Sequence, residues 1–221
     1  MKSQYYFNKQ AEVCLIERKD FIYLEHEDAS VMDFLTDKEY SKLQQYKSIG
    51  AKTAFLTARY YLRELLSKKL NIENPKAINI VITESGKPFL ADYPSLFFNI
   101  SHSKEMIVIG FSNSPIGVDV ETIDRKTDKE SILKHFFSEK EQESYLKTPE
   151  EMRNISFFVG WTRKEAILKA TGYGLSKMKN NEVSFDIYAE NPVISDSENI
   201  SYKLKTFFPN AKSVVSVALQ E

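Results

Sequence analysis

Two segments place charged side chains at spacings that could do chemistry. In Ile116-Gly117-Val118-Asp119-Val120-Glu121, apolar residues alternate with Gly117, Asp119 and Glu121. A period of two puts Asp119 and Glu121 on one face of a strand, about 7 Å apart by backbone rise. Carboxylates held this way repel each other unless water or a cation lies between them, and their hard oxygens suit magnesium. A half-exposed strand with its acidic face in water has the same alternation. In the segment 161–172, WTRKEAILKATG, Glu165 and Lys169 stand four apart and share one helical face. Phe158 and Trp161 project onto that face at about 100° per residue. An apolar stripe that changes into a Glu/Lys pair suggests a helix half in the core whose last turns reach a cleft. An ordinary surface ion pair explains the same spacing.

Smaller pieces add donors for an anion. Ser101 and His102 fall at the end of a strand in FNISHS (98–103), where both could donate to phosphate oxygens. Lys87 sits on a Gly-Pro turn, which by itself is a surface turn. His26 and His135 have no comparable neighbours and read as structural. No GxGxxG, Walker-type GxxxxGK[ST], CxxC or HExxH is present, so dinucleotide, nucleotide-triphosphatase and zinc-protease readings lack support. Three histidines and one cysteine cannot build the usual zinc cluster, and Ser101-His102 is no GxSxG elbow.

The elements that must position these residues are legible in outline. A first strand is expected at 11–16 and a charged helix at 36–46 with Thr36 as its N-cap. A long helix over 51–70 follows, then a strand at 77–83 and a turn at 84–88. Short runs at 96–101, 106–111 and 115–121 predict strands joined as antiparallel hairpins. Helices are predicted over 129–137 and 139–145, the second opened by a Ser138/Glu141 capping box. A long helix at 151–170 precedes strands at 183–188, 202–208 and 213–219. Long helix then strand thus occurs twice, which suggests an α+β protein of two similar halves, 1–103 and 104–221. A single irregular α+β domain accounts for the same order.

Bulk properties exclude little but point one way. Thirty basic and 31 acidic residues among 221 leave a formal charge of -1, so no bulk field draws the chain to nucleic acid or membrane. Cys14 is the only cysteine, which rules out an internal disulfide and suits a reducing, cytoplasmic setting. The polar opening MKSQYYFNKQ leads into no long apolar run, so no signal peptide or membrane span is expected. The sequons at Asn99, Asn154 and Asn199 then read as chance matches.

Taken in order, the motifs resemble those of the surfactin-type 4'-phosphopantetheinyl transferases. The family signature is an (I/V)-G-(I/V)-D-x-E strand followed by W-[S/T/C]-x-K-E-[A/S]-x-x-K, matched at 116–121 and 161–169. GKP at 86–88, FNISHS at 98–103 and Phe136-Phe137-Ser138 keep the family's order, and the resemblance covers about residues 36–188. It implies two α+β halves with coenzyme A, the substrate, in the cleft between them, and magnesium or manganese held by Asp119, Glu121 and Glu165. Lys169 resembles the lysine at the pyrophosphate, Ser101 and His102 match residues at the phosphates, and Lys87 the residue beside the adenine. Lys52 and Thr53 fit a 3'-phosphate position, and Lys42 joins the coenzyme A set across a small gap. Catalysis would fall to Glu165, Lys169 and Asp119, with Glu165 or a water it orients taking the proton of the attacking serine. The implied partner is an apo acyl or peptidyl carrier protein from fatty-acid, polyketide or peptide synthesis, served by a monomer. It is expected to dock at 124–150, where Phe136, Phe137 and Tyr145 look exposed and Arg125 and Lys134 add charge. A non-catalytic module binding coenzyme A or carrier, and a magnesium phosphohydrolase, are the alternatives.

Overall fold

The computed structural model of the protein describes residues 1–22, 32–124, 126–172, 193–195 and 200–221. Strands β1 (Lys2–Tyr6) and β2 (Ala11–Glu17) open the chain as an antiparallel hairpin. Helix α1 (Asp37–Gln45) begins on Thr36, whose hydroxyl accepts from Glu39 N while the Glu39 carboxylate accepts from Thr36 N. Helix α2 (Ile49–Leu70) follows a Ser48 cap and ends on Asn71 in the left-handed region. Next come β3 (Ile80–Ile82), β4 (Pro88–Leu90), β5 (Phe97–His102), β6 (Met106–Ser112) and β7 (Ile116–Thr122). Helices α3 (Lys129–Phe136), α4 (Glu139–Lys147) and α5 (Glu150–Thr171) precede β8 (Val193–Ser195), β9 (Ser201–Asn210) and β10 (Ser213–Gln220).

Two antiparallel sheets carry the architecture, in orders β1-β2-β6-β5 and β7-β10-β9-β8, with β3–β4 as a separate hairpin. Side-chain alternation along β2 sets the layers. Cys14 and Ile16 face α2 and pack with Leu62, Leu65, Leu66 and Ile107. Val13 and Leu15 face the second sheet and pack with Val118, Val120, Val215 and Val217. Beyond that sheet, Ala166, Ile167 and Ala170 of α5 rest on Tyr202, Leu204 and Ala218. The order helix, sheet, sheet, helix gives the two similar α+β halves. Each fully buried Leu or Ile in these layers contributes on the order of 1.5–3 kcal/mol.

Some local expectations are corrected. Hairpin pairing over 96–121 holds for β5 and β6 only, and β7 pairs with β10 in the other sheet. The reason is that β2 and β5 already fill both edges of β6. By sheet membership the halves therefore divide between Ser112 and Ile116, whereas a division after Ser103 falls within the β5–β6 hairpin. The strand expected at 77–83 is cut to Ile80–Ile82, because Pro75 opens a 3-10 turn over Pro75–Ala77. Strand β1 carried no clear periodic signal and was missed. The expected strand at 183–188 lies outside the described residues.

Candidate active site

Strand β7 is buried along its whole length, which excludes the reading of an acidic face in water. Ile116, Val118 and Val120 enter the core between the sheets, so Gly117, Asp119 and Glu121 face α5. Gly117 is what lets the strand come so close. A Cβ there would lie 1.9 Å from the Ala166 carbonyl oxygen and 2.5 Å from Ala170 N. On α5, residues 161–170 are buried all round except Glu165 and Lys169, which are half-buried. A polar window in an otherwise enclosed helix is unlike a solvated ion pair, and it opens onto the two strand carboxylates.

The edge of β7 turned away from β10 meets side chains of β5 in place of another strand. Asn99 Oδ1 accepts from Val118 N at 2.9 Å, and Ser101 Oγ accepts from Val120 N at 3.3 Å. The alternate residues of the NIS segment thus act as side-chain substitutes for ladder carbonyls and lock the halves together. Ser101 also donates to Asp119 Oδ1 at 2.8 Å. Lys169 Nζ donates to the same oxygen at 2.7 Å and to Ser101 Oγ at 3.0 Å. With its proton given to Asp119, Ser101 holds the acid in place, and the phosphate-facing donors of this corner are Lys169 and His102.

These groups line a cleft between the halves. Its largest chamber, about 1010 Å³, is walled by Thr53, Ser101, His102, Asp119, Glu121, Glu165 and Lys169. A second chamber of about 320 Å³ shares Ser101, His102 and Lys169 and extends to Tyr46, Phe55 and Arg59. A third of about 230 Å³ joins Lys87 to Glu165 and Lys169. The structure therefore brings together Asp119, Glu121, Glu165, Lys169, Ser101, His102, Thr53 and Lys87. Lys42 and Lys52 are not among the described residues lining these chambers, although Lys42 Nζ lies 5.9 Å from the Phe55 ring centre.

A divalent ion suits the chemistry of the donors. Three carboxylates share one chamber wall, and Asp119 Oδ2 is buried with no hydrogen-bond partner. They are not, however, drawn into a finished coordination shell. Among the described residues no three His, Cys, Asp or Glu side chains gather closely enough to hold a metal. The Lys169 ammonium neutralises Asp119 in the protein as it stands.

Lys87 has a structural partner that its turn did not announce. Its Nζ donates to the Ala170 carbonyl at 2.7 Å, capping the C-terminal end of α5, and burial pushes its pKa down to about 8. Gly172 closes the same end with φ of 77°, a conformation suited to glycine. A second support lies behind the site, where Lys164 and Glu141 form a fully enclosed ion pair at 2.9 Å. Burial pulls the Lys164 pKa down against the opposing pull of Glu141. Glu141 also accepts from Ser138 N as the predicted capping box, so one carboxylate orders α4 and ties it to α5.

The expected docking face is corrected in part. Phe137 is 3% exposed, and Phe136 and Tyr145 pack on the same apolar cluster; Phe136 makes an edge contact to Trp161 at 5.6 Å. Leu146, 62% exposed, is the apolar side chain that this segment does present. Arg125 lies outside the described residues. Sequence reasoning missed Asn99 and Arg59: the first was visible only as a sequon, the second only as one more cation on a helix.

Comparison with known proteins follows the same division of the chain. The model described as the 4'-phosphopantetheinyl transferase superfamily matches residues 115–214, and that of the N-terminal part of a 4'-phosphopantetheinyl transferase matches 24–114. The 4'-phosphopantetheinyl transferase HetI of Nostoc is 32% identical over 154 residues, 68% of this chain and 65% of HetI. A Synechocystis protein, slr0495, which carries the same activity provisionally in its name, is 32% identical over 171 residues, 76% of this chain and 69% of its own length. Sfp of Bacillus subtilis is 28% identical over 152 residues, 69% of this chain and 66% of Sfp. The matched region thus spans just under two thirds of HetI and of Sfp.

Proposed function

The chain belongs to the 4'-phosphopantetheinyl transferase superfamily, and we propose that it moves the phosphopantetheine arm of coenzyme A onto a serine of an apo acyl or peptidyl carrier protein. The observation that carries this reading is the meeting of Asp119, Glu121, Glu165 and Lys169 in one cleft between the halves. The serine oxygen forms a bond to the β-phosphorus as the bond from that phosphorus to the bridging oxygen breaks, releasing 3',5'-ADP. Magnesium, or manganese, held by the three carboxylates would supply Lewis-acid stabilisation of the phosphate charge when bound.

The chain's own residues do the rest. Lys169 offers a point charge to the pyrophosphate, and His102, exposed on the cleft wall, offers a further donor. Glu165 lies on the same wall and is assigned the serine proton, directly or through a water that it orients. Asp119, fixed by Ser101, keeps Lys169 pointed into the cleft. Lys87, at the end of α5, flanks the chamber assigned to the adenine. The protein is proposed to act as a cytoplasmic monomer, and no described helix is long and apolar enough to cross a membrane.

The test is mass spectrometry of an apo carrier protein incubated with the protein, magnesium and coenzyme A. A carrier heavier by one phosphopantetheine is expected, and Asp119→Ala, Glu121→Ala or Glu165→Ala should each nearly abolish the gain. A carrier left unmodified by a protein that still binds coenzyme A would leave a binding module instead.

A further inference from the structure

Strands β5 and β7 run side by side in one direction, since Asn99 meets Val118 and Ser101 meets Val120. The active cleft lies where they end, at Ser101, His102, Asp119 and Glu121. Where they begin, a separate cavity of about 380 Å³ opens between the halves. One wall comes from β4 and the start of β5, with Phe89, Leu90 and Phe98. The facing wall comes from the last turn of α5 and from β9, with Ala170 and Tyr202. Leu90, Phe98, Ala170 and Tyr202 are at most 2% exposed, so the core fixes the floor. Phe89 and Tyr93, which also line it, are 42% and 37% exposed and give it an apolar mouth. A volume of this size falls in the range of ligand sites and far above that of packing defects.

The lining is chemically lopsided. Among the described residues it is mostly apolar or aromatic, and Lys87 is its single charged side chain. The hydroxyls beside it are already engaged: Thr83 Oγ1 accepts from Lys87 N, and Thr171 Oγ1 donates to the Leu168 carbonyl. Lys87 Nζ gives one proton to the neutral Ala170 carbonyl, which leaves two of its three donors unused. Glu165 and Lys169 share a different chamber with Lys87, but neither holds its ammonium. Burial without a counter-charge is what pushes the Lys87 pKa down to about 8, and an anion in the cavity would relieve that penalty.

We propose that this cavity is a second ligand site, which takes a small apolar carboxylic acid with its tail between the halves and its carboxylate on Lys87. Apolar walls require an apolar body, and one unpaired ammonium requires one negative charge. A neutral ligand leaves that ammonium unpaired, and a polyanion brings more charge than it can offset in an apolar enclosure. At about 30 Å³ per heavy atom, the share of a molecule in liquid water, the cavity holds roughly a dozen heavy atoms. A straight-chain acid of roughly eight to ten carbons has that size. The site stands apart from the transferase reading, because Asp119, Glu121, Glu165 and Lys169 are not in its walls.

Calorimetric titration of the full chain with octanoate, octan-1-ol and acetate, at neutral pH where Lys87 keeps its proton, provides the test. Octanoate should saturate one site. Octan-1-ol should bind at least tenfold more weakly and acetate not measurably, since one charge-assisted contact governs roughly one to two decades of affinity. Lys87→Met should bring octanoate down to the level of octan-1-ol, whose own affinity should change less than about threefold. Leu96→Trp, which fills the cavity from its wall, should abolish binding of both. Phe89→Ala, which strips the mouth, should weaken both by at least about threefold and serves if the tryptophan variant does not fold. Lys169→Met should leave octanoate binding within about twofold of wild type, because that lysine lies in the cleft. A preference for octanoate that survives Lys87→Met, or is lost in Lys169→Met, overturns the proposal. So does a wild type that binds octanoate at no site or without saturation.

Discussion

Replacing Lys169 by methionine tests the central electrostatic arrangement without touching a carboxylate. The lysine ammonium stands 2.7 Å from Asp119 Oδ1, with side-chain exposures of 28% for Lys169 and 7% for Asp119. Losing one partner of a fully buried pair costs about 3–5 kcal/mol, and an exposed pair is worth about 0–1 kcal/mol. This pair lies between those limits, so Lys169→Met should destabilise the metal-free protein by about 2 kcal/mol. For a chain of this size that lowers Tm by roughly 4–8 °C. Asp119 would then keep the Ser101 bond to Oδ1 and offer Oδ2, which already lacks a partner, to a divalent ion. Manganese at about 100 times its dissociation constant restores about 2.7 kcal/mol by linkage, enough to offset the loss. Thermal unfolding by circular dichroism in EDTA and in manganese, with bound ion counted by electron paramagnetic resonance, reads both effects. The variant should melt low in EDTA and gain more from manganese than wild type does. A variant as stable as wild type in EDTA would show that the ion pair contributes nothing. One that melts low and gains nothing from manganese would remove Asp119 from the metal site.

Three further outcomes are expected. Gly117→Ala should cost more than 2 kcal/mol in urea unfolding and lower carrier modification, because its Cβ cannot share space with the Ala166 carbonyl 1.9 Å away; full stability would mean that α5 moves aside freely. Glu141→Gln should destabilise by about 3 kcal/mol by removing the carboxylate charge that the enclosed Lys164 ammonium faces, while the double change with Lys164→Met recovers most of that loss. A double mutant no better than the single would show that capping of α4, and not the buried charge, carries the effect. Lys87, pushed down to about 8 by burial, binds fewer protons folded than unfolded between about pH 8 and 10.5, so stability should rise with pH across that window by up to about 3 kcal/mol. Lys87→Met should flatten that rise, and a slope unchanged in the variant would assign it to another group.

The sequence by itself determined the pieces whose physics is local. Strict alternation placed Asp119 and Glu121 on one face of β7, and four-residue spacing placed Glu165 and Lys169 on one face of α5. The caps at Thr36 and Ser138 were equally legible, since a hydroxyl followed three residues later by a glutamate closes its own hydrogen bonds. What alternation could not say was which neighbour each face would meet. Tertiary structure alone decided that β7 leaves β6, whose edges are full, and joins β10, so that its acidic face turns to α5. The fold alone paired Lys169 with Asp119 across 50 residues of chain, although Glu165 stands one helical turn away. It also sank Phe137 into the core and laid Phe136 and Tyr145, half-buried, against the same cluster, where charged flanks had suggested a surface. Arg59 and Arg63 are alike in sequence, four residues apart on α2. Only the packing around Glu39 satisfies one and leaves the other with a charge to spend, because burial and partner count belong to the assembled chain.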